Sequence, residues 1–231
     1  MKIGVLEFGG TNCDLDVLSV LRGTIGVDAE RVWYKDAHLL DGCDGLVIPG
    51  GFSYGDYLRA GAIAARDPIM DKVRQMASDG LPILGICNGF QVLTEAGILK
   101  GALVKNDYPK FLCTWCHLRV EVVDCPFTMG FEKGSVVRLP IAHKEGRYYT
   151  DESTLGGLCS NGQVALRYAD EQGNVSKSSN PNGSVDSIAG VLNERKNVLG
   201  LMPHPERACE GALGSEDGKV VFSGMVEYIR R

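Results

Sequence analysis

Between residues 81 and 91 the chain reads Leu81-Pro82-Ile83-Leu84-Gly85-Ile86-Cys87-Asn88-Gly89-Phe90-Gln91. An apolar run, a cysteine between two glycines and a helix-compatible segment predict a strand, a sharp turn and a helix start, the arrangement of a nucleophile elbow in its cysteine form. Gly85 and Gly89 leave room where a Cβ would clash. The helix N-terminus favours the thiolate of Cys87, which is the reactive form. The alternative is a buried structural cysteine.

The sequence on both sides of Cys87 alternates between apolar, β-branched runs and helix-compatible segments. This pattern predicts a parallel sheet covered by helices on both faces, with right-handed crossovers. Shorter runs separated by Gly, Pro and Asp in the second half predict antiparallel additions. We therefore expect an α/β fold, a three-layer, doubly wound, mostly parallel sheet in a single domain over residues 1–231. The predicted strands are Lys2 to Phe8, Val27 to Tyr34, Cys43 to Ile48, the run before Cys87, Leu118 to Val123, Val136 to Ile141, Gly146 to Thr150, Val164 to Tyr168, Ile188 to Leu192 and Val198 to Met202. The predicted helices are Asn12 to Arg22 with Leu15, Leu18 and Leu21 on one face, Gly61 to Asp79, Gln91 to Ala96 and Gly218 to Arg231.

Composition narrows the class of protein. The 231 residues are 44% hydrophobic with a formal net charge of -5, which is typical of a globular protein and unlike a nucleic-acid-binding protein with a basic face. No apolar run reaches the length of a membrane span. The eight cysteines are expected to be reduced, as in the cytoplasm. The stretch Cys113-Thr114-Trp115-Cys116-His117 has the spacing of a redox or haem motif but continues as a strand, and no second pair completes a zinc site. We predict no metal.

A base for Cys87 is found near the end of the chain. The run Val198 to Met202 leads into Pro203-His204-Pro205-Glu206, and residues two apart in an extended segment project to the same side. The imidazole of His204 and the carboxylate of Glu206 are therefore expected to touch, as the base and its orienting group do in a catalytic triad. The alternative is a surface turn with two solvated side chains.

An oxyanion site is predicted at Pro49-Gly50-Gly51. The negative charge of a tetrahedral intermediate needs backbone N–H groups aimed at it. In an elbow one comes from the residue after the nucleophile, here Asn88, and the other from a neighbouring strand's loop, where Gly51 lies. Ligands of such sheets bind at the carboxyl ends of strands, where both lie. The Gly9-Gly10 turn lacks a full phosphate-binding fingerprint and is interpreted as a turn.

Several motifs together resemble one family. Gly85 to Gln91 with Pro203 to Glu206 is similar to the class I (triad) glutamine amidotransferases. The stretches Pro49 to Gly61, Asn180 to Ser184 and Met202 to Arg207 resemble the family of free-standing glutaminase subunits of phosphoribosylformylglycinamidine synthase, from purine biosynthesis. The resemblance runs nearly end to end. Two positions depart from it, since Lys144 stands where glycine is expected and Gly9 where proline is expected.

The resemblance implies a role for each matching residue. Cys87 attacks the side-chain amide of glutamine, His204 activates Cys87 and protonates the leaving ammonia, and Glu206 orients His204. Water then releases glutamate from the thioester. The implied oxyanion donors are Gly51 and Asn88, and the implied substrate-binding residues are Gly50, Gln91, His143, Glu145 and Gly146.

The resemblance also implies partners. Ammonia would pass through a shielded path to a large synthase subunit, which would bind ATP, Mg and the ribonucleotide and convert formylglycinamide ribonucleotide to formylglycinamidine ribonucleotide, and a small third subunit is expected. This chain itself would bind no cofactor and has no Walker-type phosphate loop. Tyr57 and Arg59 either face that partner or pack over the sheet edge.

Two other functions are considered. One is a cysteine hydrolase of the same broad fold, such as a γ-glutamyl hydrolase or a DJ-1-like enzyme, which would not be expected to combine Pro203 to Glu206 with the stretch Phe52 to Gly61. The other is a non-catalytic scaffold subunit, against which the intact Cys87, His204 and Glu206 argue.

Overall fold

The computed structural model describes residues 1–231, and its elements follow the alternation of the sequence. The strands and helices, numbered in chain order, are β1 (Lys2–Glu7), α1 (Asp14–Ser19), β2 (Asp28–Trp33), β3 (Gly45–Ile48), α2 (Ile69–Ser78), β4 (Ile83–Ile86), α3 (Asn88–Glu95), β5 (Ala102–Val104), β6 (Leu112–Val120), β7 (Val136–His143), β8 (Arg147–Tyr149), α4 (Glu152–Ser160), β9 (Val164–Ala169), β10 (Ile188–Leu192), β11 (Val198–Leu201) and α5 (Asp217–Arg230).

Nine strands form one sheet in the order β2-β1-β3-β4-β11-β10-β9-β6-β7. The first five are parallel to one another, and each of the last four is antiparallel to the strand before it in this order. Strands β3 and β4 are buried at every position, as expected for parallel strands covered on both faces. The predicted fold class is confirmed. One core cluster of 61 buried residues extends through the molecule, and we propose a single domain over residues 1–231 around it.

Two predicted helices differ from the observed ones. The helix predicted over Gly61 to Asp79 exists only from Ile69, because Pro68 disfavours helical geometry at Asp67, which is extended with ψ 141. Of the face predicted for the first helix, Leu18 and Leu21 are buried, but Leu15 is 62% exposed, and Asp14 and Val17 face inward. That helix ends at Ser19 and continues as a π-turn, which rotates the following side chains relative to an α-helix.

Two features of the second half were not predicted correctly. Arg147–Tyr149 is not part of the main sheet but pairs with Ala102–Val104 in a two-stranded sheet of its own. Helix α4 was missed because its glycines hide any apolar period. Its start has a clear signal, since the Asp151 carboxylate accepts the N–H of Thr154 at 2.9 Å as an N-cap. No helix of the structure is both long and apolar enough to cross a membrane.

Candidate active site

Cys87 lies at the tip of the predicted elbow, between the end of β4 and the start of α3. Its backbone has φ 49 and ψ −102, a conformation that non-glycine residues rarely adopt and that costs about 1–3 kcal/mol. Gly85 and Gly89 do not have positive φ angles, and they are needed because the turn leaves no room for a Cβ at either position. A Cβ at Gly89 would lie 1.9 Å from the Ile48 carbonyl oxygen, and one at Gly85 would lie 2.4 Å from Leu93. The strain is therefore held at the nucleophile by close packing around it.

His204 and Glu206 make the predicted contact. Nδ1 of His204 lies 2.6 Å from Oε1 of Glu206, and both residues are 2% exposed. The contact is built by an extended His204, whose N–H donates to the Pro140 carbonyl at 2.8 Å, followed by a short helical turn over Pro205–Arg207. The carboxylate thereby fixes the tautomer in which Nδ1 carries a proton, and the other ring nitrogen, Nε2, is buried without a hydrogen-bond partner in the protein.

Charge favours the protonated form of His204. Burial by itself would lower the pKa of this imidazole, but the negative charges of Glu206 and Cys87 outweigh burial and raise the pKa well above its ordinary value. A protonated His204 beside the elbow is the acid that a leaving amide nitrogen requires.

The turn at Pro49-Gly50-Gly51 lies against this pair. A Cβ at Gly50 would be 2.9 Å from Cε1 of His204 and 3.5 Å from Cβ of Cys87, so the residue packs beneath the imidazole. Gly50 was predicted to bind substrate, yet it does not line the cavity at Cys87. Gly51 has φ 146 and forms an isolated bridge with Thr11, a geometry that suits glycine.

The two amides predicted for the oxyanion site are unused within the protein. Neither the N–H of Gly51 nor that of Asn88 donates to another group of the chain. Asn88 is the first residue of α3, where the N–H groups have no partner within the helix. Both amides are thus free to donate hydrogen bonds to the oxyanion of a tetrahedral intermediate formed at Cys87.

A cavity of about 250 Å³ opens above Cys87. It brings together the predicted nucleophile, one of the two predicted oxyanion residues and three of the predicted substrate-binding residues. Its lining residues are Gly51, Phe52, Asp56, Cys87, Gln91, Phe111, Ala142, His143, Lys144 and Glu145.

Gln91 holds the far wall of this cavity. Its Nε2 donates to the Glu145 carbonyl at 2.6 Å, and its Oε1 accepts from Nδ2 of Asn88 at 2.9 Å. Asn88 in turn accepts the N–H of Ser53 at 3.1 Å. Both ends of the Gln91 amide are therefore used within the protein, and Nε2 connects the elbow helix to the loop after β7.

His143 and Gly146 form the base of that loop. Gly146 packs on the His143 ring so closely that a Cβ would lie 2.3 Å from Nδ1, and Gly146 does not line the cavity. His143 is 3% exposed, and both ring nitrogens lack a partner. Burial, together with the charge of His204, lowers the pKa of His143 to about 4, so this ring is neutral at pH 7. Lys144 is exposed at the rim, where the smaller residue expected from the resemblance would leave the mouth wider.

Two titratable residues of the site, Asp56 and Cys13, were not singled out from the sequence. Asp56 lines the cavity, half-buried, at φ 54, and burial together with the charge of Glu145 raises its pKa to about 6. Its position in the stretch after Pro49 was visible, but nothing in the pattern shows that its side chain points inward. Cys13 lies beside His204, 191 positions away in the chain, and no sequence signal indicates the contact.

The Cys113–Cys116 pair and the side chains of Tyr57 and Arg59 lie outside the cavity. Cys113 is exposed and Cys116 is buried within the same strand, and burial raises the pKa of the Cys116 thiol to about 12, which suits neither a redox nor a zinc site. Tyr57 is 74% exposed, so it does not pack over the sheet. Arg59 is paired with Glu95 at 2.6 Å.

The doubly wound sheet, the elbow cysteine and the buried His–Glu pair define a triad-type amidotransferase. A family model described as "CobB/CobQ-like glutamine amidotransferase domain" matches residues 1–219. The chain belongs to this glutamine amidotransferase family and, within it, to the group of phosphoribosylformylglycinamidine synthase subunits named PurQ.

Three similar proteins carry that assignment. A "Phosphoribosylformylglycinamidine synthase subunit PurQ" of Methanosarcina acetivorans is 63% identical, with 99% of this chain and 98% of the relative covered. The protein of the same name from Pyrococcus furiosus is 56% identical over 100% of this chain and 99% of its own length. A solved structure described as "Structure of PurLQS from Thermotoga maritima" contains a chain that is 46% identical, with a TM-score of 0.86, and the match covers 99% of this chain and 98% of that one.

Proposed function

We propose that this chain hydrolyses glutamine to glutamate and ammonia through a thioester on Cys87. The observation that carries the proposal is the elbow itself: a strained cysteine opens on a cavity beside a buried His–Glu pair. A nucleophile, a base, an orienting carboxylate and two unused amides are the groups that acyl transfer requires.

Each residue of the site has a defined role in the proposed reaction. The Cys87 thiolate attacks the side-chain carbonyl carbon of glutamine, and the amides of Gly51 and Asn88 bind the resulting oxyanion. The imidazolium of His204 gives its proton to the leaving nitrogen, so ammonia departs and a glutamyl thioester remains. Neutral His204 then takes a proton from water, which attacks the thioester and releases glutamate. Glu206 orients the ring throughout.

The ammonia is proposed to serve a synthase partner that converts formylglycinamide ribonucleotide to formylglycinamidine ribonucleotide with ATP and Mg. Support comes from the names of the relatives, each a subunit of phosphoribosylformylglycinamidine synthase. It also comes from the Thermotoga maritima structure, whose description, PurLQS, joins the letter Q of these relatives with L and S. We accordingly propose a large synthase subunit and a small third subunit as partners, and no cofactor held by this chain. Eight unpaired thiols fit an enzyme of the cytoplasm.

The loop after Gly51 is the proposed docking surface for the synthase. Tyr57 and Leu58 are 74% and 92% exposed, and Phe52 and Asp56 of the same loop line the cavity. Exposed apolar groups beside a site are typical of a binding surface. Arg59 is satisfied by Glu95 on the chain itself, so we assign docking to Tyr57 and Leu58 more than to Arg59.

The experiment is a glutaminase assay with and without the synthase partner. Wild type and Cys113→Ala, a change at an exposed cysteine, are expected to release glutamate at equal rates, whereas Cys87→Ala should release none. Leu58→Asp should keep the basal rate but lose stimulation by the partner. Equal activity of wild type and Cys87→Ala would refute the catalytic proposal, and unchanged stimulation of Leu58→Asp would refute the docking surface.

A further inference from the structure

A second thiol lies beside the catalytic base. Cys13 precedes α1, and its N–H donates to the Gly50 carbonyl at 3.2 Å, which ties it to the turn beneath His204. Cys13 is 1% exposed. Its Sγ, a ring nitrogen of His204 and a carboxylate oxygen of Glu206 all lie within 4.8 Å of one another. No step of glutamine hydrolysis described above uses this thiol.

The thiol of Cys13 is oriented by two polar neighbours. It donates to Oδ1 of Asn12 at 3.2 Å and accepts from Nη2 of Arg207 at 3.1 Å. Cys13 does not line the cavity on which Cys87 opens, so it does not meet the substrate. Its side chain is held in place beside the base and outside the cavity, so it is not placed to act as a second nucleophile.

We propose that Cys13 is a positioning residue, which together with Glu206 and Gly50 holds the imidazole of His204 in the orientation that serves Cys87. The inference rests on the proposed function, in which His204 is the base. Glu206 fixes the ring through Nδ1. Gly50 leaves no free space beneath it, because a Cβ there would lie 2.9 Å from the ring and 3.2 Å from the Cys13 sulfur. The Cys13 sulfur lies beside the ring, within 4.8 Å of one of its nitrogens.

The contact also has an electrostatic consequence. The groups that face His204 are Glu206, Cys87, Cys13 and the neutral His143, with Arg207 bound to the Cys13 sulfur. Burial lowers the pKa of His204, the charges of Glu206 and Cys87 raise it, and the nearby polar sulfur of Cys13 raises it further. Removal of the Cys13 thiol should therefore lower the pKa of His204 and favour loss of its proton.

The test compares Cys13→Ala, Cys13→Ser and a control, Cys125→Ala, at a buried cysteine whose neighbour is Thr128. Glutaminase activity is measured with the synthase partner across pH. A base displaced by up to 1 Å costs up to about a hundredfold in rate, so Cys13→Ala should lower kcat by about tenfold to a hundredfold with KM for glutamine unchanged. The alkaline limb of kcat/KM should move to lower pH, and Cys13→Ser should restore part of both effects.

A wild-type kcat and an unmoved alkaline limb in Cys13→Ala would overturn the proposal. If Cys13→Ala does not fold, Cys13→Ser decides, because its smaller oxygen weakens the contact and the limb must still move. An effect of equal size in Cys125→Ala would show a general loss of packing and also overturn it. Retained activity in Cys87→Ala would refute the glutaminase function itself, which is a different outcome from failure of Cys13 alone.

Discussion

Replacing Gly50 by alanine would insert a methyl group directly beneath the imidazole of His204, the proposed base. The new carbon would lie 2.9 Å from Cε1 of His204 and 3.2 Å from Sγ of Cys13. Carbon atoms in contact prefer separations of about 3.5–4.0 Å, so the imidazole must retreat by about 0.6–1 Å. Gly50 does not have a positive φ, so alanine meets no strain from a left-handed backbone, and the change acts through the ring and the adjacent Cys13 sulfur.

A displacement of that size predicts a large loss of rate. Misplacing a catalytic group by 1 Å costs about a hundredfold, which corresponds to about 2.7 kcal/mol at 1.36 kcal/mol per tenfold. We expect Gly50→Ala to lower kcat by about this factor, with KM for glutamine unchanged, because the residue is not among those that line the cavity. A raised KM with a normal kcat would instead support the substrate-binding role that the resemblance implies.

The assay is steady-state release of glutamate with the synthase partner present, with the melting temperature measured in parallel. Gly9→Ala is the matched control, because a Cβ there meets no atom within 4 Å and the residue does not have a positive φ. A Gly50→Ala protein that melts like wild type and keeps a wild-type kcat would refute the reasoning that the turn positions His204.

Substitutions at Glu206, at Asp56 and at two glycines test further contacts of the site and the core. Glu206→Gln removes the charge that holds the His204 tautomer and should lower kcat by a factor on the order of 10⁴, measured as glutamate release; a near-normal rate would contradict the orienting role. The pKa of Asp56 is raised to about 6, so its ionisation destabilises the fold as pH rises from about 4 to 6. Asp56→Asn should therefore raise the melting temperature at pH 8 but not at pH 4, and a pH-independent difference would refute this. Gly156→Ala, in an open helical position, should raise the free energy of unfolding in urea by about 0.5–1 kcal/mol, whereas Gly89→Ala should lower it by at least about 1–3 kcal/mol; equal effects would contradict the packing described here.

Much of the catalytic arrangement could be predicted from the sequence because it depends on local rules. Strand, glycine and helix signals stand next to Cys87 and predict the elbow. Prolines flank His204, and the extended segment that they favour predicts its contact with Glu206. The parallel sheet then brings the ends of β3, β4 and β11 together, since these strands are neighbours. Local pattern and topology were sufficient there.

The parts that could not be predicted depend on contacts between distant residues. Cys13 meets Arg207 across 194 positions, and Asp56 is turned inward by three non-glycine residues with positive φ at 54, 56 and 58. Gly50 and Gly51 were both visible as a turn, yet only the packed structure shows that one lies beneath the imidazole and the other lines the cavity. Periodicity contains no information on such placements.

The most direct test of the account is whether Cys87 becomes acylated during turnover. The enzyme with its synthase partner is mixed with isotopically labelled glutamine and quenched in acid, and the peptide that contains Cys87 is examined by mass spectrometry. We expect a labelled glutamyl group on Cys87 in wild type, more of it when hydrolysis is slowed, and none in Cys87→Ala. Release of glutamate without label on this peptide, or by Cys87→Ala, would contradict it.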